Sequence, residues 1–148
     1  MEIRLSKTEK AYLAGFLDGD GSIYVKAKPN PTYRYGFQVA PYIVLFQSAK
    51  DRKKFEKICA LIGLGHLRVR KDGILEYIVS KRDSIHEFLQ IVRPYSILKK
   101  EQIALMQKIL RAKQEINSRA DFQSLLNLID QFRDLNYSKR RKIRTLTP

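Results

Sequence analysis

One cysteine, no apolar run of eighteen residues, and about half as many acids as bases bound this 148-residue chain. A lone Cys59 excludes an intrachain disulfide. At helical spacing with Phe55, Ile58 and Ile62, it reads as a small core residue in a reducing compartment. Without a long apolar run no transmembrane helix and no membrane partner are expected. Met1 to Ser6 hold no stretch of signal-peptide character, so an intracellular location is expected. Low-complexity segments are missing too. The scarcity of acids matters most: 29 Lys+Arg stand against 15 Asp+Glu, a formal net charge of +14. Such a balance points to a polyanionic partner, nucleic acid ahead of an anionic membrane. With 44% apolar residues, the chain reads as one globular domain over 1–148, residues 136–148 forming a basic tail.

What is present is organised around Leu13-Ala14-Gly15-Phe16-Leu17-Asp18-Gly19-Asp20-Gly21. Ala11, Gly15 and Gly19 recur every four residues and form one small-residue stripe on a helix, along which a second helix can approach closely. Asp18 and Asp20 fall where that helix should end, in a glycine-spaced turn that exposes carboxylates and carbonyls. Taken alone, such a turn reads first as a helix stop carrying two solvated acids. A calcium loop is excluded, because position six from Asp18 is Ile23 rather than glycine and position twelve is Pro29 rather than glutamate.

Ser6 and Glu9 have the spacing of a capping box, opening a first helix that should run to about Gly19. Beyond Gly21 the period becomes two: Ile23, Val25 and Ala27 alternate with Ser22, Tyr24, Lys26 and Lys28. Pro29-Asn30-Pro31-Thr32 breaks this strand. In the next, Phe37, Val39, Ile43 and Leu45 share a face, and Pro41 implies an edge position or a bulge. A helix through Phe55, Ile58, Cys59 and Ile62 closes at Gly63. A second hairpin sets Leu67 and Val69 against Leu75, Tyr77 and Val79. A three-residue loop, Asp72 to Ile74, would pair Arg70 with Glu76 and keep both faces clean. Helices are expected over 84–92, 98–111 and 119–135, the last capped by Ser118 and buried through Phe122, Leu125, Leu126, Ile129 and Phe132. The order α-β-β-α-β-β-α plus two helices predicts an α+β fold. Its four-stranded antiparallel sheet has helices on one face and a polar, basic face left open. Arg and Gln on such a face suit base edges, since a two-stranded ribbon fits the DNA major groove. His66 and His86 stand alone, without ligand spacing.

Leu-Ala-Gly, two apolar residues and Asp-Gly-Asp-Gly over residues 13–21, followed by this element order, resemble the LAGLIDADG homing endonucleases. The resemblance implies the family's αββαββα core, with a saddle-shaped four-stranded sheet and added C-terminal helices, and site-specific hydrolysis of double-stranded DNA. A single motif implies a homodimer packed through Ala11, Ala14, Gly15, Asp18 and Gly19, cutting a long pseudo-palindromic site with 3′ overhangs. Asp20 is then the metal ligand, with the Gly19 carbonyl as a further oxygen, for Mg2+ with Mn2+ as the alternative. Asp18 would cap across the helix interface. Gln47, Lys99 and Arg52 would complete the catalytic pocket, with Lys50 or Lys53 open in place of Arg52 and Lys100 in place of Lys99. Carried over by position, the base-side readers would be Tyr24, Lys26, Lys28, Asn30, Thr32, Tyr33, Gln38, Ala40, Tyr42, Val44, Arg68, Arg70, Glu76 and Ile78. Ser138, Lys139, Arg140, Arg141 and Lys142 of the tail would meet phosphates. Two other readings share this fold: an RNA-splicing maturase, with RNA as partner, and a DNA-binding regulator without catalysis. Asp18 and Asp20 together with Gln47 and Lys99 favour the enzyme.

Overall fold

The computed structural model describes residues 4–136, so the tail residues Ser138 to Lys142 lie outside the described residues. Helix α1 (Lys7–Asp20) opens with the expected capping box: Glu9 N–H donates to Ser6 Oγ at 3.1 Å, and Ser6 N–H donates to Glu9 Oε1 at 2.9 Å. It turns at once into strand β1 (Gly21–Pro29). Only glycine fits the junction, because a Cβ on Gly21 would lie 2.7–2.9 Å from the side chain and backbone of Leu17. Strand β2 (Phe37–Ser48) pairs antiparallel with β1, from Gly21 opposite Leu45 to Pro29 opposite Phe37. A 3-10 turn (Ala49–Asp51) leads into α2 (Arg52–Ile62), which stops at Gly63. Strands β3 (His66–Val69) and β4 (Ile74–Val79) form the second hairpin. β4 also pairs with β2, which gives one antiparallel sheet in the order β1-β2-β4-β3. Helices α3 (Arg82–Val92), α4 (Lys100–Gln114), α5 (Arg119–Asp130) and α6 (Phe132–Leu135) complete the described chain.

The period-two pattern sorts the sheet as expected. Ile23, Val39, Ile43, Leu45, Leu75, Tyr77 and Val79 face the helices and are buried. Against them pack Leu13 and Leu17 of α1, Phe55 and Cys59 of α2, Phe88 and Leu89 of α3, and Ile103 and Met106 of α4. Burial pushes the Cys59 thiol up to about 11, as befits a small core residue. The buried Tyr77 hydroxyl accepts from Leu64 N–H at 2.9 Å and Gly65 N–H at 2.7 Å, fixing the turn into β3. Tyr35 and Phe37 stack on Phe122 at 5.1 and 6.2 Å between ring centroids, tying the β1–β2 hairpin to α5.

Three local expectations change. The β3–β4 loop is three residues long but spans 71–73, so Arg68 rather than Arg70 faces Glu76. The cause is Gly73, which takes φ +83° at the third loop position and donates its N–H to the Arg70 carbonyl. The shift moves the register by two, so the faces keep their parity. The helix expected over 119–135 is broken at Gln131, with Ser118 capping its start by accepting from Asp121 N–H at 3.1 Å. Pro41 lies opposite Val25 in an unbroken register, yet β4 covers only 43–48 of β2. The half of β2 that holds Pro41 therefore has one open edge, where proline is tolerated.

Candidate cleavage site and nucleic-acid interface

The two sides of α1 serve different purposes. Leu13, Ala14 and Leu17 are buried in the chain's own core, while Ala11, Gly15 and Gly19 lie on the opposite, exposed side. A Cβ at Gly15 or Gly19 would meet nothing within 4 Å. Tyr12, Ile97 (74% exposed) and Leu98 (56% exposed) add apolar surface at this side and end of the molecule. Ala14 does not belong to the stripe: at 0% exposure it packs inside the chain, since its helical angle groups it with Leu13 and Leu17.

Asp18 caps within its own chain, reaching from the end of α1 to the segment ahead of α4. Its carboxylate accepts from Ser96 Oγ, from Ile97 N–H at 2.7 Å and from Leu98 N–H at 3.0 Å. The residue at the N-cap of α4 is Lys99, which offers no side-chain acceptor, so the N–H groups ahead of that helix need one from elsewhere. Burial alone would raise the Asp18 pKa. The hydrogen bonds from Ser96, Ile97, Leu98 and Lys99 outweigh it and hold the carboxyl below the usual aspartate value.

Lys99 is 6% exposed and its Nζ donates to the Asp18 carbonyl at 3.1 Å. α1 has no base in its own last turn, so Lys99 brings the cation to the negative end of that helix. Burial lowers its pKa, with the Asp18 charge opposing. Lys100 is exposed; of the pair, Lys99 is directed at the end of α1. Asp20 is exposed at the last position of α1, with Gly19 beside it. Gln47 lies at the same end of the sheet, two residues past the partner of Gly21, and shares the parity of Leu45 on the helix-covered face. Its Oε1 accepts from Ser48 N–H at 2.8 Å. Arg52 starts α2 and points along its own helix to Glu56 at 3.4 Å, while Lys50 and Lys53 are exposed beside it.

On the open face, register aligns Tyr24 with Tyr42, Lys26 with Ala40 and Lys28 with Gln38. The Tyr24 and Tyr42 rings stack at 5.3 Å, and Lys26 Nζ sits 5.9 and 5.4 Å from their centroids. One ammonium is thus held over two aromatic faces. Asn30, Thr32 and Tyr33 lie in the β1–β2 loop, where Asn30 Oδ1 accepts from Thr32 N–H at 3.0 Å and Thr32 Oγ1 at 2.7 Å. Arg68 approaches Glu76 at 3.5 Å, and Arg70, just past β3, is held by Asp72 at 2.6 Å. Ile78 stands opposite Val44, half-buried. Val44 has the right parity but is only 1% exposed, so it is covered by its neighbours and unavailable to a base.

A sequence model of LAGLIDADG endonucleases matches residues 13–109, which include residues 13–20 of α1, the whole sheet, α2 and α3. The chain belongs to the LAGLIDADG endonuclease family. It is 34% identical over 143 residues to DNA endonuclease I-CreI of Chlamydomonas reinhardtii, covering 96% of this chain and 87% of that protein. It is 33% identical over 101 residues to DNA endonuclease I-CvuI of Chlorella vulgaris, 68% of this chain and 63% of that one. The crystal structure of I-CvuI in complex with the I-CreI target, in the presence of Mg and with the DNA not cleaved, aligns with a TM-score of 0.85. There the identity is 28%, over 93% of this chain and 87% of that chain. The archaeal intron-encoded I-Vdi141I, complexed with DNA, shares the fold at a TM-score of 0.81 and 20% identity, over 92% of this chain and 89% of that one.

Membership groups this chain with the DNA endonucleases of the homing type. Sequence reasoning missed several features of the site. Ser96 is 1% exposed and anchors Asp18, yet nothing in Pro94-Tyr95-Ser96 signals that partner at a separation of 78 residues. Ser22 and His66 alternate onto the open face as their period implies, though neither is among the expected base readers, and strict counting by twos from Tyr42 would have added Phe46 to that face. Among the described residues no group of three or more His, Cys, Asp or Glu converges as a metal site.

Proposed function

We propose that two copies of this chain pair through Ala11, Gly15 and Gly19 and cleave both strands of a long, pseudo-palindromic DNA site. The observation that carries the reading is the open small-residue stripe running straight into exposed Asp20, at the sheet end that also holds Gln47 and Lys99. Two-fold pairing of such helices brings both Asp20 carboxylates together, so packing and chemistry become one device. Ile97 and Leu98 extend the contact with exposed apolar surface.

The donor set suits a hard divalent cation such as Mg2+, with Mn2+ as the alternative. The Asp20 carboxylate and the Gly19 carbonyl would hold it, being oxygen donors of the type such a cation takes. When bound, the cation supplies a water nucleophile at neutral pH and offsets charge on the phosphate oxygens. Lys99, held over the end of α1, meets negative charge as it develops there. Gln47 offers an amide to orient the attacking water, and Arg52 a guanidinium for an adjacent phosphate. Each strand is hydrolysed once, leaving 3′ overhangs.

The open face reads the target. β1 and β2, with 9 and 12 residues, reach about 30–40 Å at ~3.3 Å per residue, the length of about ten base pairs in each half-site. Tyr24, Lys26, Lys28, Gln38, Tyr42, Arg68 and Arg70 offer groups for base edges. Asn30, Thr32 and Tyr33 extend the contact through the loop, and Ala40 and Ile78 meet thymine methyls. Glu76 suits cytosine N4 and orients Arg68. The test is cleavage of a randomised duplex library with Mg2+, sequencing the cut ends. One long, roughly palindromic site is expected, with Asp20→Asn binding it but not cutting. Binding without cleavage by the unaltered chain would establish a regulator or maturase instead.

A further inference from the structure

The outer surface of the helical layer carries a second basic feature that the sheet and the α1 end do not use. Along α3, Arg82, His86, Gln90 and Arg93 recur on one side of the helix, while Ile85, Phe88, Leu89 and Val92 take the core side. Arg111 stands on α4, flanked one turn away on either side by Gln107 and Gln114. The two stripes wall a groove of about 200 Å³, with buried Leu110 beneath it. Because the core-facing residues of α3 point toward the sheet, this groove opens away from it. A duplex lying on the open sheet face leaves the groove accessible.

Charge and shape narrow what fits. Three guanidiniums and one imidazole line the groove, and among the described residues no carboxylate does. Asp83 pairs with Arg82 at 2.8 Å from outside, but it is itself 92% exposed. The His86 ring meets the Gln90 amide at 3.3 Å. Arg82 acts at a distance as well: burial first, and the Arg82 charge second, hold the Lys113 ammonium below its usual pKa. Gathering like charges without an anion costs stability, and arginine is the side chain that grips phosphate oxygens in pairs. The three glutamine amides can donate to or accept from sugar and base groups. Among the described residues no aromatic side chain lines the groove, so a phosphate and sugar contact fits it better than base stacking. Packed helices lie about 8–10 Å apart axis to axis, a spacing that suits one backbone rather than a whole duplex.

We propose that the α3–α4 groove is a second nucleic-acid site, which takes the phosphodiester backbone of a single strand while the sheet holds the cleavage target. RNA and single-stranded DNA share that chemistry, and the experiment distinguishes them. Labelled 20-nucleotide strands of random sequence, RNA in one arm and DNA in the other, are titrated against the full chain by fluorescence anisotropy over a salt series. The groove variant is Arg82→Gln/Arg93→Gln/Arg111→Gln, all at exposed positions, with its fold checked by circular dichroism. The sheet variant is Lys26→Gln/Lys28→Gln. The groove variant is expected to lose single-strand affinity about tenfold or more and to lower the salt slope by about 2, at about 0.7 per phosphate contact. Its affinity for the library-selected target duplex and its cleavage rate should stay unchanged. The sheet variant should do the reverse, and a failure there would impugn the sheet reading while leaving the groove standing. Tighter binding of RNA than of DNA would support the site with a ribose contact, and equal binding would support it as a backbone site. Single-strand affinity unchanged in the groove variant, or lost only in parallel with target binding, would overturn the proposal.

Discussion

Gly15→Leu places an isobutyl group on the side of α1 that faces away from the core, one helical turn before the acids. Within one chain the first added carbon meets nothing, since a Cβ at Gly15 has no neighbour within 4 Å, and the position itself is exposed. Glycine inside a helix costs about 0.5–1 kcal/mol relative to a good helix former, so the isolated chain should gain roughly that amount. At about 2–4 °C per kcal/mol for a domain of this size, its melting temperature should rise slightly or stay level. In the pair the sign reverses. Overpacking costs about 1–3 kcal/mol per side chain, and two-fold symmetry doubles it, which weakens association by about 30-fold to 10^4-fold. Sedimentation velocity should then find a species of 17.3 kDa where the unaltered chain forms one of twice that mass. Cleavage should fall with the dimer fraction and recover at high protein concentration. A Gly15→Leu chain that still sediments as a dimer and cuts normally would refute pairing through this stripe. A chain that melts several degrees lower as a monomer would refute the open surface.

Asp18→Ala should destabilise the chain by about 2 kcal/mol in urea unfolding at pH 7, a figure moderated by the half-exposed setting of the carboxylate. Since its folded pKa is depressed, that contribution is present above the unfolded value of about 3.9 and is lost as pH falls through the folded one. The gap between variant and parent should therefore close in acid, and a gap constant down to pH 3 would contradict the assignment. Tyr42→Ala releases one of the two rings that hold Lys26. Cleavage profiling should show about fivefold weaker discrimination at one base pair per half-site, from a cation–π contact of about 1 kcal/mol, and an unchanged profile would count against it. Gly21→Ala must push the α1–β1 junction off Leu17, costing about 1–3 kcal/mol in chemical denaturation and displacing Asp20. Parental stability and activity in that variant would show that the junction yields freely.

Periodicity and spacing carried the element order, the face of each strand and the end of α1, because these depend on residues a few positions apart. The capping box at Ser6 and Glu9, the alternation through β1 and the helix stop at Gly63 are of this kind. The nine-residue motif likewise marked both the small-residue stripe and the acids that follow it. Long-range partners were decided only by the tertiary structure. Asp18 reads as a metal-site neighbour or an interface cap until Ser96 and the N–H groups of Ile97 and Leu98 are seen to claim it. Lys99 and Lys100 are equivalent in a string of letters, and only burial against α1 separates them. Ala14 looks like part of the stripe until helix packing turns it inward, and Val44 looks open until neighbouring side chains cover it. The basic groove, too, exists only because α3 and α4 pack side by side, setting Arg82 and Arg93 across from Arg111. Local pattern determines which way a side chain leaves its own helix or strand. What it meets there depends on elements dozens of residues away, and only folding sets those distances.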